Sequence, residues 1–412
     1  MARSLGRIAL IVCSILVVLA ALEVTLRWRP VLLGHAFANG AATRYTTKPG
    51  GIYYHDRSVH MNFMLPNYTT TMYYNGYVWR HETDALGFRN KPLHIPADVM
   101  LLGDSVVYGH GVDFEHTLGR YLEERTGLRV ANLGRQGDCA YQEAYLLGEY
   151  LPLFKPQVVV HVFTPNDIQD LYVYLSDAAM EAFIAQPFDQ VTYPPRTDPA
   201  VLVAERERQA RKRTVWKWAK DELYVAKMLR WIRYNYKQWR GSAAIPVAEA
   251  APLSPRHDPE ARRLQAQRER VDTDPASLGW RYTAHALRHM KHRAATAGAR
   301  FIMAPVARDR QLEILRDIAA RHAIEIIDPT PLWNGPSFLP NDGHFTPHGA
   351  RTMANLIAAA LEHRPFEGRH GSAEVPRAVG GLGAISGPPS RSILAERERR
   401  QAQHVMAGER PE

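Results

Sequence analysis

The chain contains little cysteine: two residues among 412, Cys13 and Cys139. Cys13 lies in an apolar N-terminal segment, so Cys139 has no partner for an intrachain disulfide, and cysteine usage fits any compartment. The sequence also lacks a Cys/His cluster with metal-ligand spacing and a glycine-rich loop for phosphate. It carries no nucleic-acid recognition motif. We therefore expect no metal, no other cofactor and no nucleic-acid partner.

Long apolar runs are scarce, and the main one stands at the N-terminus. The stretch Ile8–Leu22 is largely apolar and follows two arginines. Its length lies between the core of a signal peptide and a membrane-spanning helix. Val18–Ala20 fits a cleavage site, but Glu23–Trp28 continues as a helix-like segment with an interfacial tryptophan and arginine. The pattern favours an uncleaved anchor over residues 1–29, with cleavage as the alternative.

Downstream, the chain has four short polar blocks, the first three of which each follow an apolar run. In this order they resemble the blocks of the SGNH (GDSL-like) hydrolase superfamily, and the resemblance covers roughly residues 98–362. The blocks are Gly103-Asp104-Ser105, Ala131–Gly137, Thr164–Asp167 and Asn341–Pro347.

The resemblance implies a role for each block. Ser105 is the expected nucleophile, His344 the base and Asp342 the acid that orients His344. Asp342 and His344 are two residues apart, so in an extended segment their side chains point the same way. The implied oxyanion hole comprises the backbone N–H groups of Ser105 and Gly134 and the side-chain amide of Asn166.

Several neighbouring residues have other interpretations. His348 is the competing candidate for the base, but Thr346 and Pro347 predict that it lies in the first turn of a helix. Thr164 stands where the superfamily often has glycine, and Arg135 is expected either to contact substrate or to be solvated. Asp104 and Asp167 are expected to accept backbone hydrogen bonds in their own loops.

Strands and helices alternate through the block-bearing region, which predicts a parallel sheet with helices on both faces. The resemblance implies the same α/β class: a flavodoxin-like, three-layer α/β/α SGNH hydrolase fold. The predicted strands are Val99–Leu102, Arg129–Leu133, Gln157–Phe163, Arg300–Ala304 and Glu325–Asp328. The predicted helices are about Thr117–Thr126, Ala140–Leu151, Leu278–Ala297, Gln311–His322 and Pro347–Leu361.

Outside this domain the sequence predicts three further segments. Two strand-like runs, Thr69–Tyr74 and Tyr77–Thr83, flank Asn75-Gly76, a strong hairpin signal. The C-terminal segment is rich in Gly, Pro, Ser and Arg, which predicts disorder. The predicted division is an anchor (1–29), a β-hairpin extension (30–97), a hydrolase domain (98–365) and a disordered tail (366–412).

An insertion, at about 171–274, is too long for a simple loop. Within it, apolar residues recur from Val215 to Trp239 at spacings of three and four, which predicts one amphipathic helix. Residues 203–240 hold twelve Lys/Arg against four Asp/Glu, a net charge of +8 in a chain whose total is +9. Three interpretations remain open: a helical cap packed on the domain, contact with an anionic membrane surface, or binding of an acidic polysaccharide.

The resemblance also implies a function and a location. We expect a serine esterase acting on O-acyl, often O-acetyl, groups of an extracytoplasmic glycan, anchored in a bacterial inner membrane with the catalytic domain outside. One alternative is an O-acetyltransferase of exopolysaccharide modification, in which a sugar hydroxyl replaces water. Another is a non-catalytic scaffold of a polysaccharide assembly complex, since a fold does not specify an activity.

Overall fold

The N-terminal extension forms a long helix, a short helix and two antiparallel hairpins. The computed structural model describes residues 2–242, 273–340 and 342–362. The predicted hairpin at Asn75-Gly76 is confirmed: both residues have positive φ, which suits a two-residue turn between twisted strands. The sequence analysis missed the first hairpin. The elements are α1 (Ala2–Trp28), a 3-10 turn (Pro30–Leu33), α2 (His35–Ala42), β1 (Tyr53–Asp56), β2 (Met61–Met64), β3 (Thr69–Tyr74) and β4 (Tyr77–Glu82).

Five parallel strands form the central sheet, in the order β6-β5-β7-β8-β9. When the five strands are renumbered 1 to 5 in chain order, the order becomes 2-1-3-4-5, which is the flavodoxin-like arrangement. The predicted fold class is therefore confirmed. Every residue of β5, β6 and β7 is buried, which explains their continuous apolar runs. The strands are β5 (Val99–Gly103), β6 (Val130–Asn132), β7 (Val158–Val162), β8 (Arg300–Met303) and β9 (Glu325–Ile326).

Helices pack in two layers around this sheet. Helix α4 packs on α13, and α5 packs on α11. Thr117 caps the start of α4, and Gly127 ends it in a left-handed conformation, as the sequence predicts. The helices after the extension are α3 (Ser105–Tyr108), α4 (Leu118–Thr126), α5 (Ala140–Phe154), α6 (Asp167–Tyr174), α7 (Asp177–Ala185), α8 (Pro199–Arg211), α9 (Val215–Glu222), α10 (Tyr224–Ser242), α11 (Leu278–Thr296), α12 (Asp309–His322) and α13 (Pro347–Glu362), with 3-10 turns at Phe114–His116 and Thr330–Asn334.

The insertion differs from its prediction. The single predicted amphipathic helix is divided into α9 and α10, because Leu223 adopts an extended conformation between them. Helix α10 packs on the end of α1, where the Val225 N–H donates to Glu23 at 2.9 Å and Leu26 is buried. One face of α10 is therefore packed, but against the N-terminal helices α1 and α2 rather than as a cap on the hydrolase domain. The rest of the insertion, 243–272, and the predicted tail lie outside the described residues.

Helix α1 has the length and composition of a membrane span. The segment Gly6–Trp28 has 23 residues, and its most apolar 18-residue window has a mean hydropathy of 2.7 and contains no buried residue. This agrees with either an anchor or a signal sequence. Cys13, within it, is exposed, and Cys139 is buried; both are free thiols.

Candidate active site

The predicted nucleophile stands at the carboxyl end of the central sheet. Ser105 directly follows β5 and begins α3, and the Asp104 side chain caps this short helix by accepting the Val106 N–H at 2.9 Å. The Ser105 hydroxyl lies 2.7 Å from Nε2 of His344. Serine and predicted base are therefore within hydrogen-bonding distance although 239 positions separate them in the chain.

His344 and Asp342 lie in the loop before α13. Nδ1 of His344 is hydrogen-bonded to Oδ1 of Asp342, which also accepts the His344 backbone N–H at 3.2 Å. Burial raises the pKa of the Asp342 carboxyl, but the hydrogen bonds from His344 more than offset this effect, so the pKa lies below its usual value. An ionised acid thus orients the ring whose other nitrogen faces Ser105. His348 is exposed on α13.

The predicted oxyanion donors differ in their surroundings. Asn166 is exposed after β7, and its amide donates to Oδ2 of Asp104 at 3.2 Å and to Asp170 at 2.8 Å. The N–H of Gly134 donates to the Asn132 side chain at 2.9 Å. A Cβ at Gly134 would lie 2.3 Å from the backbone nitrogen of Tyr108, so this glycine permits close packing of its loop on α3. Its oxyanion role stays a prediction, and that role requires release of the bond to Asn132.

A second glycine of the same block is better exposed to a ligand. Gly137 has a φ of +71° and lines a large cavity, and its N–H has no acceptor among the described residues. The sequence analysis passed over it. The sequence did offer a sign that either glycine could be the oxyanion donor, because the block has two glycines three residues apart.

Behind the serine, Asp104 joins the first block to the third. Its Oδ2 lies 2.9 Å from the Thr164 hydroxyl, accepts from the Asn166 amide at 3.2 Å and lies 3.2 Å from the oxygen of Ser105, whose one hydroxyl proton serves the bond to His344. The Thr164 hydroxyl also lies 2.8 Å from Oδ1 of Asp167, and the Thr164 backbone N–H donates to Oδ2 of Asp167 at 3.0 Å. Burial, then the neighbouring Glu143, raises the pKa of Asp167. Thr164 thus ties the third block to the first where the superfamily often has glycine.

Two ionisable side chains near the blocks, Arg135 and His161, are buried. Arg135 is 1% exposed and forms an ion pair with Asp138, so it is not the solvated side chain that the sequence left open. On β7, Nε2 of His161 lies 2.6 Å from Glu143, and burial lowers the pKa of His161 to about 4. This pair is fully buried beneath the sheet end and supports the core.

A cavity of about 1100 Å³ opens between the N-terminal extension, the loop of the second block and α8. No triad residue lines this cavity. Its link to the triad is indirect, through Gln136, which is hydrogen-bonded to His110, the ring neighbour of His344. The cavity is lined by Arg, His, acidic and glycine residues and by a second set of side chains. This second set consists of tyrosines, residues with side-chain amides, threonines and three apolar residues. These are Tyr45, Tyr53, Tyr54, Tyr174, Asn62, Gln136, Gln142, Gln209, Thr46, Thr47, Thr197, Met61, Val201 and Leu202.

A comparison with solved structures finds similar chains at low sequence identity. No family model matches the chain, and no curated protein matches its sequence. A lipase/acylhydrolase from Enterococcus faecalis is 12% identical with a TM-score of 0.34, over 66% of this chain and 98% of that one. TesA is 12% identical with a TM-score of 0.32, over 64% and 98%. A protein of the lipolytic G-D-S-L family from Desulfitobacterium hafniense is 11% identical with a TM-score of 0.32, over the same shares.

The Asn166 amide permits a direct test of the oxyanion hole. We expect Asn166→Ala to lower kcat for an aryl acetate by about a hundred- to a thousandfold with little change in KM, because the lost donor acts on charge formed only during reaction. Steady-state kinetics measure both constants. Asn235→Ala, which removes an exposed amide on α10, is the matched control and should leave kcat unchanged. Equal kinetics in the two variants would contradict the role of Asn166.

Proposed function

We propose that the chain is a serine ester hydrolase of the SGNH type. The observation that carries the proposal is the continuous hydrogen-bonded series from Asp342 through His344 to the Ser105 hydroxyl. Such a series activates a hydroxyl that is otherwise a weak nucleophile. The placement of all three residues beside the carboxyl ends of a parallel sheet supports the same activity.

The reaction follows from this geometry. His344 takes the Ser105 proton as Oγ attacks the ester carbonyl, and Asp342 stabilises the resulting imidazolium. The N–H groups of Ser105 and Gly137 would meet the oxyanion, and the Asn166 amide would join them once one of its N–H groups leaves Asp104 or Asp170. The C–O bond to the alcohol then breaks, His344 protonates that alcohol, and an acyl-serine remains. Water, deprotonated by His344, attacks the acyl-serine and releases the acid and the free serine.

We further propose an O-acylated glycan as the substrate, because the cavity that Gly137 and Gln136 line suits a sugar chain. Its lining offers amide and hydroxyl groups for hydrogen bonds with sugar hydroxyls, and tyrosine rings for their apolar faces. The Tyr53 hydroxyl is buried there without a partner among the described residues. With three aliphatic side chains in the lining, the cavity is poorly suited to a long acyl chain.

An aryl acetate assay tests the activity, and acetylated xylo-oligosaccharides test the substrate. Acetate release without a glycan acceptor supports the esterase, acceptor-dependent consumption indicates the transferase, and neither result indicates the scaffold. Tyr174→Ala and Gln209→Ala should lower the ratio of kcat/KM for the oligosaccharide to kcat/KM for the aryl acetate at least tenfold. An unchanged ratio would contradict the glycan site.

The N-terminal helix supports a membrane location, and we propose a single-pass anchor in a bacterial inner membrane with the catalytic domain outside. Glu23 and Leu26, at its end, contact α10, so the anchor continues directly into the folded domain. A reporter that is active only outside the cytoplasm, fused after Pro365, tests the orientation. Activity only on the cytoplasmic side would reverse it.

We also propose that the basic insertion contacts anionic lipid beside this anchor. Trp216 and Trp218 on α9 are 80% and 47% exposed, as suits side chains at a membrane interface. Lys217 and Lys220 on the same helix are also exposed. Arg213 is an exception within the basic run, because it is paired with acidic residues and its side chain is 8% exposed.

Replacement of four exposed cations by glutamine should weaken binding to phosphatidylserine vesicles at least tenfold at low salt, because each contributes about 1 kcal/mol. Vesicle co-sedimentation measures the binding, with a chain that lacks residues 1–21. This deletion removes only residues that are exposed wherever the structure describes them. Glutamine at Arg125, Arg310, Arg316 and Arg321 is the control. Vesicle binding that changes neither with the four substitutions nor with salt concentration would contradict the proposed lipid contact. The four test positions are Arg211, Lys212, Lys217 and Lys220.

A further inference from the structure

His110 lies flat against the predicted base. The centroid of its ring is 3.8 Å from that of His344, and the two ring planes differ by 13°. His110 follows α3 and is 3% exposed. It belongs to none of the four blocks, so the sequence analysis gave it no role.

Contacts on other sides fix the His110 ring independently of His344. Its Nδ1 lies 3.0 Å from both the Tyr45 hydroxyl and Oε1 of Gln136, and the Gln136 amide donates to Tyr45 at 2.6 Å. The rings of Tyr74 and Trp79 pack against it with centroid distances of 5.1 and 4.7 Å. The orientation of His110 is thus set largely by the N-terminal extension.

The contacts of His110 also define its proton. Oε1 of Gln136 only accepts hydrogen bonds, so with this amide orientation Nδ1 carries the proton and Nε2 keeps its lone pair. Nε2 lies 3.8 Å from Oδ2 of Asp342 and has no hydrogen-bond partner among the described residues. Burial, then the neighbouring His344, lowers the pKa of His110 to about 4. The ring is therefore neutral at pH 7 and does not repel the imidazolium that His344 becomes.

The extension supports Asp342 as well. The Asn75 amide, at the hairpin turn, donates to Oδ2 of Asp342 at 3.3 Å. Asn75 is itself held by Asn39, through hydrogen bonds of 2.7 and 2.8 Å. Both members of the acid–base pair therefore touch groups that the extension holds in place.

We propose that His110 is a positioning residue, whose ring holds the imidazole of His344 in the plane that joins Asp342 to Ser105. The proposal rests on the proposed function and extends it to a residue outside the triad. A base held in this plane needs no reorientation before it accepts the serine proton. A misplacement of about 1 Å costs about a hundredfold in rate, so a ring platform has a large effect.

The same residues have the spacing of a metal set, since ligand atoms of His110, Asp342 and His344 lie within 4.8 Å of one another. The lone pairs of imidazole lie in the ring plane. Two rings stacked within 13° therefore direct their lone pairs along parallel planes and not toward one point. This geometry favours a platform over a shared ion.

Two substitutions test the platform with an aryl acetate as the probe. His110→Ala should lower kcat by about ten- to a hundredfold and leave KM within twofold, because the ring of His344 loses its support while the substrate contacts remain. His110→Phe should stay within about fivefold of the wild-type kcat, because phenylalanine restores a flat ring. The low-field proton resonance of the His344 Nδ1–H should shift or broaden in the alanine variant and persist in the phenylalanine variant.

His289→Ala is the control for loss of a buried histidine, since His289 is 1% exposed on α11 and contacts Phe188 and Tyr193. It should lower thermal stability without changing kcat or the resonance. Wild-type kinetics in His110→Ala, or an equal loss in His110→Phe, would overturn the platform. Activity that requires added Zn²⁺ would overturn it in favour of a metal. Turnover that survives in Ser105→Ala would instead refute the proposed function itself.

Discussion

Replacing Ser105 with alanine is expected to abolish ester turnover, with kcat for an aryl acetate falling by at least about ten-thousandfold. The hydroxyl 2.7 Å from His344 is the group that forms the acyl intermediate, and no other group on α3 replaces it. The fold should persist, because alanine fits the first position of a helix whose cap is Asp104. Steady-state kinetics and thermal unfolding measure the two effects.

A serine-directed phosphonate provides an independent check on the nucleophile. It should label the wild-type chain at Ser105 and leave the alanine variant unlabelled, as peptide mass mapping will show. Ser176→Ala is the control, since Ser176 caps α7 and lies outside the triad. Labelling at a different serine would mean that the nucleophile lies elsewhere.

Replacing His344 with alanine should be nearly as damaging as loss of the serine, since residues that act as one unit fail together. The double variant with Ser105→Ala should therefore be no slower than either single variant. The kcat of Asp342→Asn should lie between the kcat of His344→Ala and that of the wild type. The substitution weakens the orientation of the His344 ring but leaves the base in place. Kinetics of the four variants with an aryl acetate measure this order.

His348→Ala is the matched control for the base. His348 is exposed in the first turn of α13, so its loss should change kcat less than threefold. A larger loss in His348→Ala than in His344→Ala would show that the base was wrongly assigned. Asp342 would then hold a structural hydrogen bond.

The central sheet was predictable because its strands are buried on both faces. The continuous apolar runs at Val99–Gly103 and Val158–Val162 need no tertiary information to be recognised. The break at Leu223 was not predictable. The residues around it keep a helical period, and the extended conformation arises where α10 packs on α1.

The triad was predictable for a related reason: each member lies in a short block after a strand or before a helix. The support around it was hidden, because Asn75 meets Asp342 from 267 positions away and Tyr45 meets His110 from 65. Such contacts depend on how the hairpin docks, which no local pattern encodes. Which of Gly134 and Gly137 has a backbone N–H available for the oxyanion likewise depends on the path of one loop.

The distance along the chain between Ser105 and His344 has a consequence for biosynthesis. At about 5 to 20 residues per second, the ribosome adds the intervening 239 residues in roughly 10 to 50 seconds. During that interval the nascent chain carries a serine without its base. A protein translocated during synthesis would therefore pass the cytoplasm as an inert polypeptide, and it would acquire hydrolytic capacity only after His344, about five-sixths of the way along its sequence, has docked beside Ser105.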